Sequence, residues 1–266
     1  MLYAILFLLA ALAAAWALVA LAHWHWLLGV LVFFLVFALM HGIYLAVWWL
    51  LVLPVDRTKP IEKQNPRARE ACRGVGRFLC LYGGMKPHIS GEEKLPEDSR
   101  FLFVCNHRSM FDPLMVIGYL YRWNISFISK PSNMAIPMVG DIAYQAGYLA
   151  IDRENDRAAL KTILTAADYM KRDLCSIGIY PEGTRTKDGE LLPFHNGSFK
   201  TAQRAKVPVA VACIRGTEKM KKRLFLRPTD VYLDILELIP AEKVCAMSTA
   251  ELADYSRNLI EEGLKA

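Results

Sequence analysis

The chain has 266 residues, 54% of them hydrophobic and 22% charged, with a net charge of +6. No Asp, Glu, Lys or Arg precedes Asp56, so the whole net charge belongs to residues 56–266, and a uniformly water-exposed chain is excluded. The six cysteines, at 72, 80, 105, 175, 213 and 245, form no CxxC and no metal-like spacing; a reduced compartment fits, no metal site is expected, and nucleic acid is not an expected partner.

Two apolar segments fill the charge-free lead, Leu2 to Ala22 and Leu27 to Val55. The first is about 20 residues long, enough to cross the hydrocarbon core, and the second is long enough to span with tilt. His23, Trp24, His25 and Trp26 form an aromatic connector suited to a membrane interface. A cleaved signal peptide starts with positive charge and has a shorter apolar core, so the pattern predicts a retained helical hairpin over residues 1–55, with a shallow re-entrant hairpin as the alternative. His41, inside the second segment, is expected to hydrogen-bond its neighbour helix. Arg57, Lys59, Lys63, Arg67, Arg69, Arg73 and Arg77 crowd the exit of the second segment, and the connector has no basic residue of this kind. By the positive-inside rule the large C-terminal part faces the cytoplasm.

Residues 56–84 read as a basic linker followed by an amphipathic helix from Arg67 to Tyr82. Ala68, Ala71, Cys72, Val75, Phe78, Leu79 and Tyr82 form one stripe, and Arg69, Arg73 and Arg77 form another. Such a helix suits an anionic membrane interface or packs on the domain with a solvated basic face; Gly74 and Gly76 weaken it.

The remaining chain, 85–266, alternates. Apolar strand candidates are 101–105, 125–129, 148–151, 175–180, 207–214 and 229–236. Helical patterns cover Asp156 to Lys171, His195 to Ala205 and Ser248 to Leu264, the last opening on a Ser-Thr-Ala-Glu capping box. This alternation predicts an α/β domain with a mixed, partly parallel sheet flanked by helices.

Between the first strand and the next helix stand His107 and, five residues on, Asp112, followed by Pro113. Asp favours the N-cap and Pro the first helical position, which predicts a helix starting at Pro113. On one helix a five-residue step would point the two side chains about 140° apart; in a strand–turn–helix they can converge. A carboxylate on one imidazole nitrogen leaves the other free as a base. Asp112 can also be an N-cap alone, and a lone His after a strand is commonly a structural hydrogen-bonder. Three further clusters follow strand ends, the usual place for chemistry in an α/β fold: Lys130; Asp152 and Arg153; and Pro181, Glu182, Gly183, Thr184 and Arg185. Converging cations beside a base suggest an anionic substrate, most simply a phosphate.

Together these motifs resemble the glycerolipid acyltransferases of the lysophosphatidic acid acyltransferase type. That family's NH-x4-D motif reads here Asn106 to Asp112; its glycine and strand ending in Asp-Arg reads Gly147 to Arg153; its Phe-Pro-Glu-Gly-Thr-Arg reads Tyr180 to Arg185; its Val-Pro-hydrophobic strand reads Val207 to Val211. The order and spacing match over about residues 85–220. The departures are Tyr180 for the usual Phe, Ala212 where a second proline is frequent, and His195 where Lys is common.

The resemblance implies a membrane-bound enzyme that moves a fatty acyl group from a thioester, acyl-CoA or acyl carrier protein, to the free hydroxyl of lysophosphatidic acid. It needs no cofactor beyond that co-substrate. It implies His107 as general base, Asp112 as its orienting carboxylate, Lys130, Arg153 and Arg185 on the acceptor phosphate, and Glu182, Gly183 and Thr184 shaping the glycerol end. Other lysophospholipids or glycerol 3-phosphate are alternative acceptors. A thioester hydrolase would have little use for three converging cations, and a membrane adaptor would not need His107 with Asp112.

Overall fold

The structure is a computed structural model that describes residues 2–21, 25–52, 55–152, 154–186, 190–223 and 228–265, with the backbone alone for 2–4, 48–49, 51–52 and 221–223. The chain divides into two compact units, Met1–Pro54 and Val55–Ala266. The first is two helices, α1 (Leu2–Ala20) and α2 (Trp26–Val52). Phe7 of α1 meets His41 and Tyr44 of α2 edge-on, at centroid distances of 5.2 and 6.0 Å. The His41 ring nitrogen pairs with the Phe37 carbonyl one turn back in its own helix, at 2.8 Å. Among the described residues, Trp26–Val47 is long and apolar enough to cross a membrane. Half of the expected connector, His23 and Trp24, lies outside the described residues.

The second unit opens with α3 (Pro66–Tyr82). Asn65 caps it, its side chain accepting the Arg67 N–H, and Pro66 sits in the first turn, where a missing N–H costs nothing. Strand β1 (Met85–Ser90) follows, unexpected because Pro87 breaks its pattern. Then come β2 (Leu102–Cys105), α4 (Phe111–Tyr119), β3 (Ile125–Ser129), the short α5 (Pro131–Met134) and α6 (Val139–Gln145), and β4 (Leu149–Ala150). The chain continues through α7 (Asp156–Lys171), β5 (Ser176–Ile179), α8 (Lys200–Ala205), β6 (Val209–Arg215), α9 (Thr217–Arg223), β7 (Thr229–Ile239), α10 (Ala241–Ala246) and α11 (Thr249–Lys265). The predicted capping box of α11 is present: Ser248 N donates to Glu251 Oε2 at 2.8 Å and Glu251 N to Ser248 Oγ at 3.2 Å.

The sheet runs β1-β7-β6-β2-β5-β3-β4. β2, β3, β4, β5 and β6 are parallel; β7 pairs antiparallel with β6 and parallel with β1, so the sheet is mixed as expected. β2 is buried on both faces, which explains its uninterrupted apolar run. Leu102, Val104, Ile177, Val209 and Val211 share one core with Ala166, Met170, Ala202, Leu252 and Ile260 of α7, α8 and α11. The opposite face is covered by α3 and α4, which cross where Gly76 meets Gly118: a Cβ on Gly76 would lie 2.9 Å from the Leu114 carbonyl oxygen.

Candidate active site

His107, Asp112, Lys130 and the turn Pro181–Arg185 follow the carboxyl ends of the parallel strands β2, β3 and β5. Asn106, fully enclosed behind β2, locks the turn to β6: its Nδ2 donates to the Ile214 carbonyl at 2.9 Å and its Oδ1 accepts the Ile214 N–H at 2.8 Å. His107 follows, and its Nδ1 lies 2.8 Å from Asp112 Oδ2. The same Asp112 oxygen accepts the N–H groups of Arg108 and Ser109, at 2.6 and 2.7 Å. Asp112 is wholly buried and its Oδ1 has no partner among the described residues.

The helix does not start at Pro113. α4 begins at Phe111, so Asp112 is inside the first turn rather than its cap. The Ser109 hydroxyl oxygen instead accepts the Phe111 N–H at 3.3 Å. Proline's bias against a helical neighbour is overridden because the Asp112 carboxylate gathers three donors from the preceding turn.

Glu182 holds the other side. It is buried, with Oε1 accepting the His107 N–H at 2.6 Å and Oε2 accepting the Thr186 hydroxyl at 2.7 Å and the Leu192 N–H at 3.1 Å. The Thr186 N–H returns to the His107 carbonyl at 2.9 Å. Both Glu182 oxygens therefore face the protein. With the N–H groups of residues 107, 108 and 109 all engaged by carboxylates, none of the three is left pointing into solvent as an oxyanion donor.

The imidazole lies on an aromatic stack. Its ring is 4.3 Å from Tyr180 at 18°, and Tyr180 lies 5.3 Å from Phe127 at 10°. Gly178 makes room for this, since a Cβ there would come within 2.5 Å of the Phe127 ring. The Tyr180 phenol oxygen is buried without a partner among the described residues, and burial pushes its pKa well above the ordinary value. Burial likewise raises the Cys105 thiol well above its usual range, so Cys105 is strand core rather than a nucleophile.

Lys130 is exposed and opens α5 just past β3. Gly183 takes a left-handed φ of 75° and donates its N–H to the Tyr180 carbonyl, the tight turn its identity suggested. Thr184 and Arg185 are exposed beyond β5. Arg153 lies outside the described residues. Because β5, β3 and β4 are adjacent in the sheet, the chain positions after them share one edge of the site. A cavity of about 330 Å³ opens there, walled by Ile128, Ile151, Ile163, Ile179 and Tyr180, with His195 at its rim. Among the described residues no cluster of His, Cys, Asp and Glu has the form of a metal site.

The family model for acyltransferases matches residues 86–215. The chain is also 30% identical over 197 residues to the 1-acyl-sn-glycerol-3-phosphate acyltransferase of Salmonella typhimurium, an alignment that takes in 71% of this chain and 79% of the relative. The chain belongs to the 1-acyl-sn-glycerol-3-phosphate acyltransferase family. A Caenorhabditis elegans protein provisionally named for the same activity is 26% identical over 186 residues, 69% of this chain and 66% of that protein, just under two thirds of its length. The crystal structure of the 1-acyl-sn-glycerophosphate acyltransferase PlsC from Thermotoga maritima shares the fold, with a TM-score of 0.64 over 85% of this chain and 87% of that one at 24% identity. Within this acyltransferase domain, the sequence pointed to His107 and Asp112. It gave no sign that Phe127, Gly178 and Tyr180 build the wall behind the ring, or that Asn106 ties the turn to β6.

Proposed function

We propose that the protein is a membrane-bound acyltransferase that moves a fatty acyl group from a thioester donor to the free hydroxyl of lysophosphatidic acid, giving phosphatidic acid. The donor is acyl-CoA or acyl carrier protein, and the catalytic domain faces the cytoplasm. The observation that carries this reading is the His107–Asp112 pair, 2.8 Å apart at the open end of the parallel strands. With Nδ1–H donated to Asp112, Nε2 holds a lone pair. It takes the proton of the acceptor hydroxyl as that oxygen attacks the thioester carbonyl. Asp112 stabilises the imidazolium that forms, as in a triad whose hydroxyl belongs to the substrate. Collapse of the tetrahedral intermediate breaks the carbon–sulfur bond, and the imidazolium returns the proton to the departing thiolate. Since the N–H groups of residues 107–109 serve the carboxylates, charge on the intermediate is met by other donors.

Lys130, Arg153 and Arg185 hold the acceptor phosphate, with Gly183 and Thr184 beside its glycerol. The apolar cavity against Tyr180 suits a hydrocarbon chain. Glu182 acts from inside, fixing the His107 backbone. The apolar N-terminal helices keep the enzyme where a long-chain lysolipid resides, since each buried methylene favours the bilayer by about 0.8 kcal/mol.

The test is thiol release by the full chain in vesicles, from acyl-CoA, with and without lysophosphatidic acid, with lipid product followed in parallel. Release that requires the acceptor, yields phosphatidic acid and vanishes in His107→Ala is expected. Release without acceptor would make the protein a hydrolase.

A further inference from the structure

A second cavity, of about 200 Å³, lies wholly within the second unit, at the end of the sheet away from His107. Asn124, Ile125 and Ser126 lead into β3 and line it, whereas Lys130 follows the other end of that strand. The rest of its wall comes from the first turns of α3 and the end of α4. Val116, Ile117 and Leu120 give it an apolar side. Arg69, Glu70, Arg73 and Tyr148 give it a polar one, and there the donors outnumber the acceptors.

Arg73 and Glu70 answer each other. Arg73 Nη1 donates to both Glu70 oxygens at 3.1 Å, and its guanidinium lies 3.8 Å over the Tyr121 ring. The Arg73 Nε is buried without a partner among the described residues. Arg69 is partly buried and has no carboxylate within ion-pair distance among the described residues. Its Nη2 reaches the Tyr121 carbonyl at 3.5 Å, and that oxygen already accepts the Asn124 N–H at 3.1 Å. Burial, and after it the nearby Arg100, lower the Arg69 pKa; Arg100 is itself engaged by Asp173 at 2.7 Å. Tyr148 is 8% exposed, and its hydroxyl has no hydrogen-bond partner among the described residues. Burial holds its pKa well above the ordinary value, so it stays an O–H donor. A partly buried cation and a buried donor on one cavity are satisfied together by a group that is negative and only accepts. Phosphate fits better than carboxylate. A single guanidinium fork matches a planar carboxylate, whereas these donors stand on separate elements and suit oxygens arranged as a tetrahedron.

We propose that this cavity is a binding site for a phosphate group, separate from the acyl-transfer site and at the opposite end of the sheet. Arg69 supplies the charge and Tyr148 the O–H. Arg73 forms the wall beside Tyr121, its own charge balanced by Glu70. The phosphate comes free in solution or on a lipid head, two sources with one chemistry. Its presence ties the start of α3 to the corner between α4 and β3, so binding reads as stability.

The test is thermal unfolding of the full chain in detergent micelles, with inorganic phosphate titrated against chloride and acetate at matched ionic strength, and with phosphatidic acid added to the same micelles in a separate arm. At ten times its dissociation constant, phosphate should shift the folding equilibrium about eleven-fold and raise the midpoint by roughly 3–6 °C. Arg69→Gln should lose that increment. Tyr148→Phe should need roughly ten-fold more phosphate for it, and carries the test alone should Arg69→Gln fail to fold. A Lys130→Ala, Arg185→Ala double variant, which removes two of the proposed acceptor cations, should keep it. A shift from inorganic phosphate marks a free ligand; a shift from phosphatidic acid alone marks a lipid headgroup. No shift from either source, the same shift from acetate, or the same shift in every variant overturns the proposal. So does a shift lost in the double variant and kept in Arg69→Gln and Tyr148→Phe, which would assign the phosphate to the other end of the sheet. No turnover is measured, so the result stands or falls separately from the acyl-transfer reading.

Discussion

Glu182→Gln separates two roles for one carboxylate. If Glu182 shapes the glycerol site, the amide should raise the acceptor KM and leave stability alone. The geometry argues otherwise. Glu182 is 3% exposed and accepts from three donors: the His107 and Leu192 N–H groups and the Thr186 hydroxyl. Glutamine is the same size but has one acceptor oxygen and an NH₂. Whichever way the amide turns, the NH₂ faces at least one backbone N–H, donor against donor. One charge-assisted bond is lost and its buried partner stranded, a cost of about 2–3 kcal/mol. For a domain of this size that lowers Tm by roughly 4–12 °C. The cheaper orientation keeps the oxygen on Leu192 and Thr186 and turns the NH₂ toward His107, which pushes the histidine backbone away. The expected signature is a fall in kcat of about ten-fold or more with acceptor KM little changed, since small displacements of a base are costly. Thermal denaturation and steady-state kinetics on the reconstituted variant read both. An unchanged Tm with a raised KM would refute the reasoning and return Glu182 to the substrate.

Asp112→Asn keeps an acceptor for the His107, Arg108 and Ser109 donors if its NH₂ takes the Oδ1 position, which has no partner to clash with among the described residues. Activity should fall by roughly 10²–10⁴ while far-UV circular dichroism and the midpoint of unfolding move little; a collapsed fold would contradict this. Tyr180→Phe deletes a buried phenol oxygen that has no partner among the described residues, so Tm should hold or rise by a few degrees and activity should persist. Loss of activity with the fold intact would give that oxygen a role. Gly118→Ala places a methyl 2.9 Å from the Arg77 backbone nitrogen and should destabilise by about 1–3 kcal/mol, whereas Gly74→Ala meets nothing within 4 Å and should stabilise by about 0.5–1 kcal/mol, both measurable by chemical denaturation.

Gly74 and Gly76 differ in a way the chain alone does not show. As letters in a helix they are equivalent, and both weaken α3. Only the position of α4 makes Gly76 a crossing point and leaves Gly74 in solvent. The regular elements were legible because each rests on a local pattern. The sixteen-residue α7 spans Asp156–Lys171 as its periodicity requires, and the capping box of α11 forms as written. Strand β1 was not legible, because Lys86, Pro87 and His88 carry no apolar alternation; it forms as an edge strand whose partner, β7, lies more than a hundred residues away.

The site divides along the same line. His107 and Asp112 meet within one turn, five residues apart, so spacing alone could bring them together. Their support arrives from far along the chain: Glu182 from a separation of 75 residues and Ile214, through Asn106, from 108. These two long-range clamps hold the histidine by its own N–H and by the residue before it. The aromatic wall behind the ring comes from β3 and the end of β5, the strands next to β2 on that side. For His107 to act as the proposed base, one nitrogen must keep a fixed place, and a turn this short cannot fix itself. The chain spends three buried polar side chains around the histidine, Asn106, Asp112 and Glu182, on backbone and ring N–H groups. On the proposed reading, recognition of the acceptor is left to exposed cations such as Lys130 and Arg185.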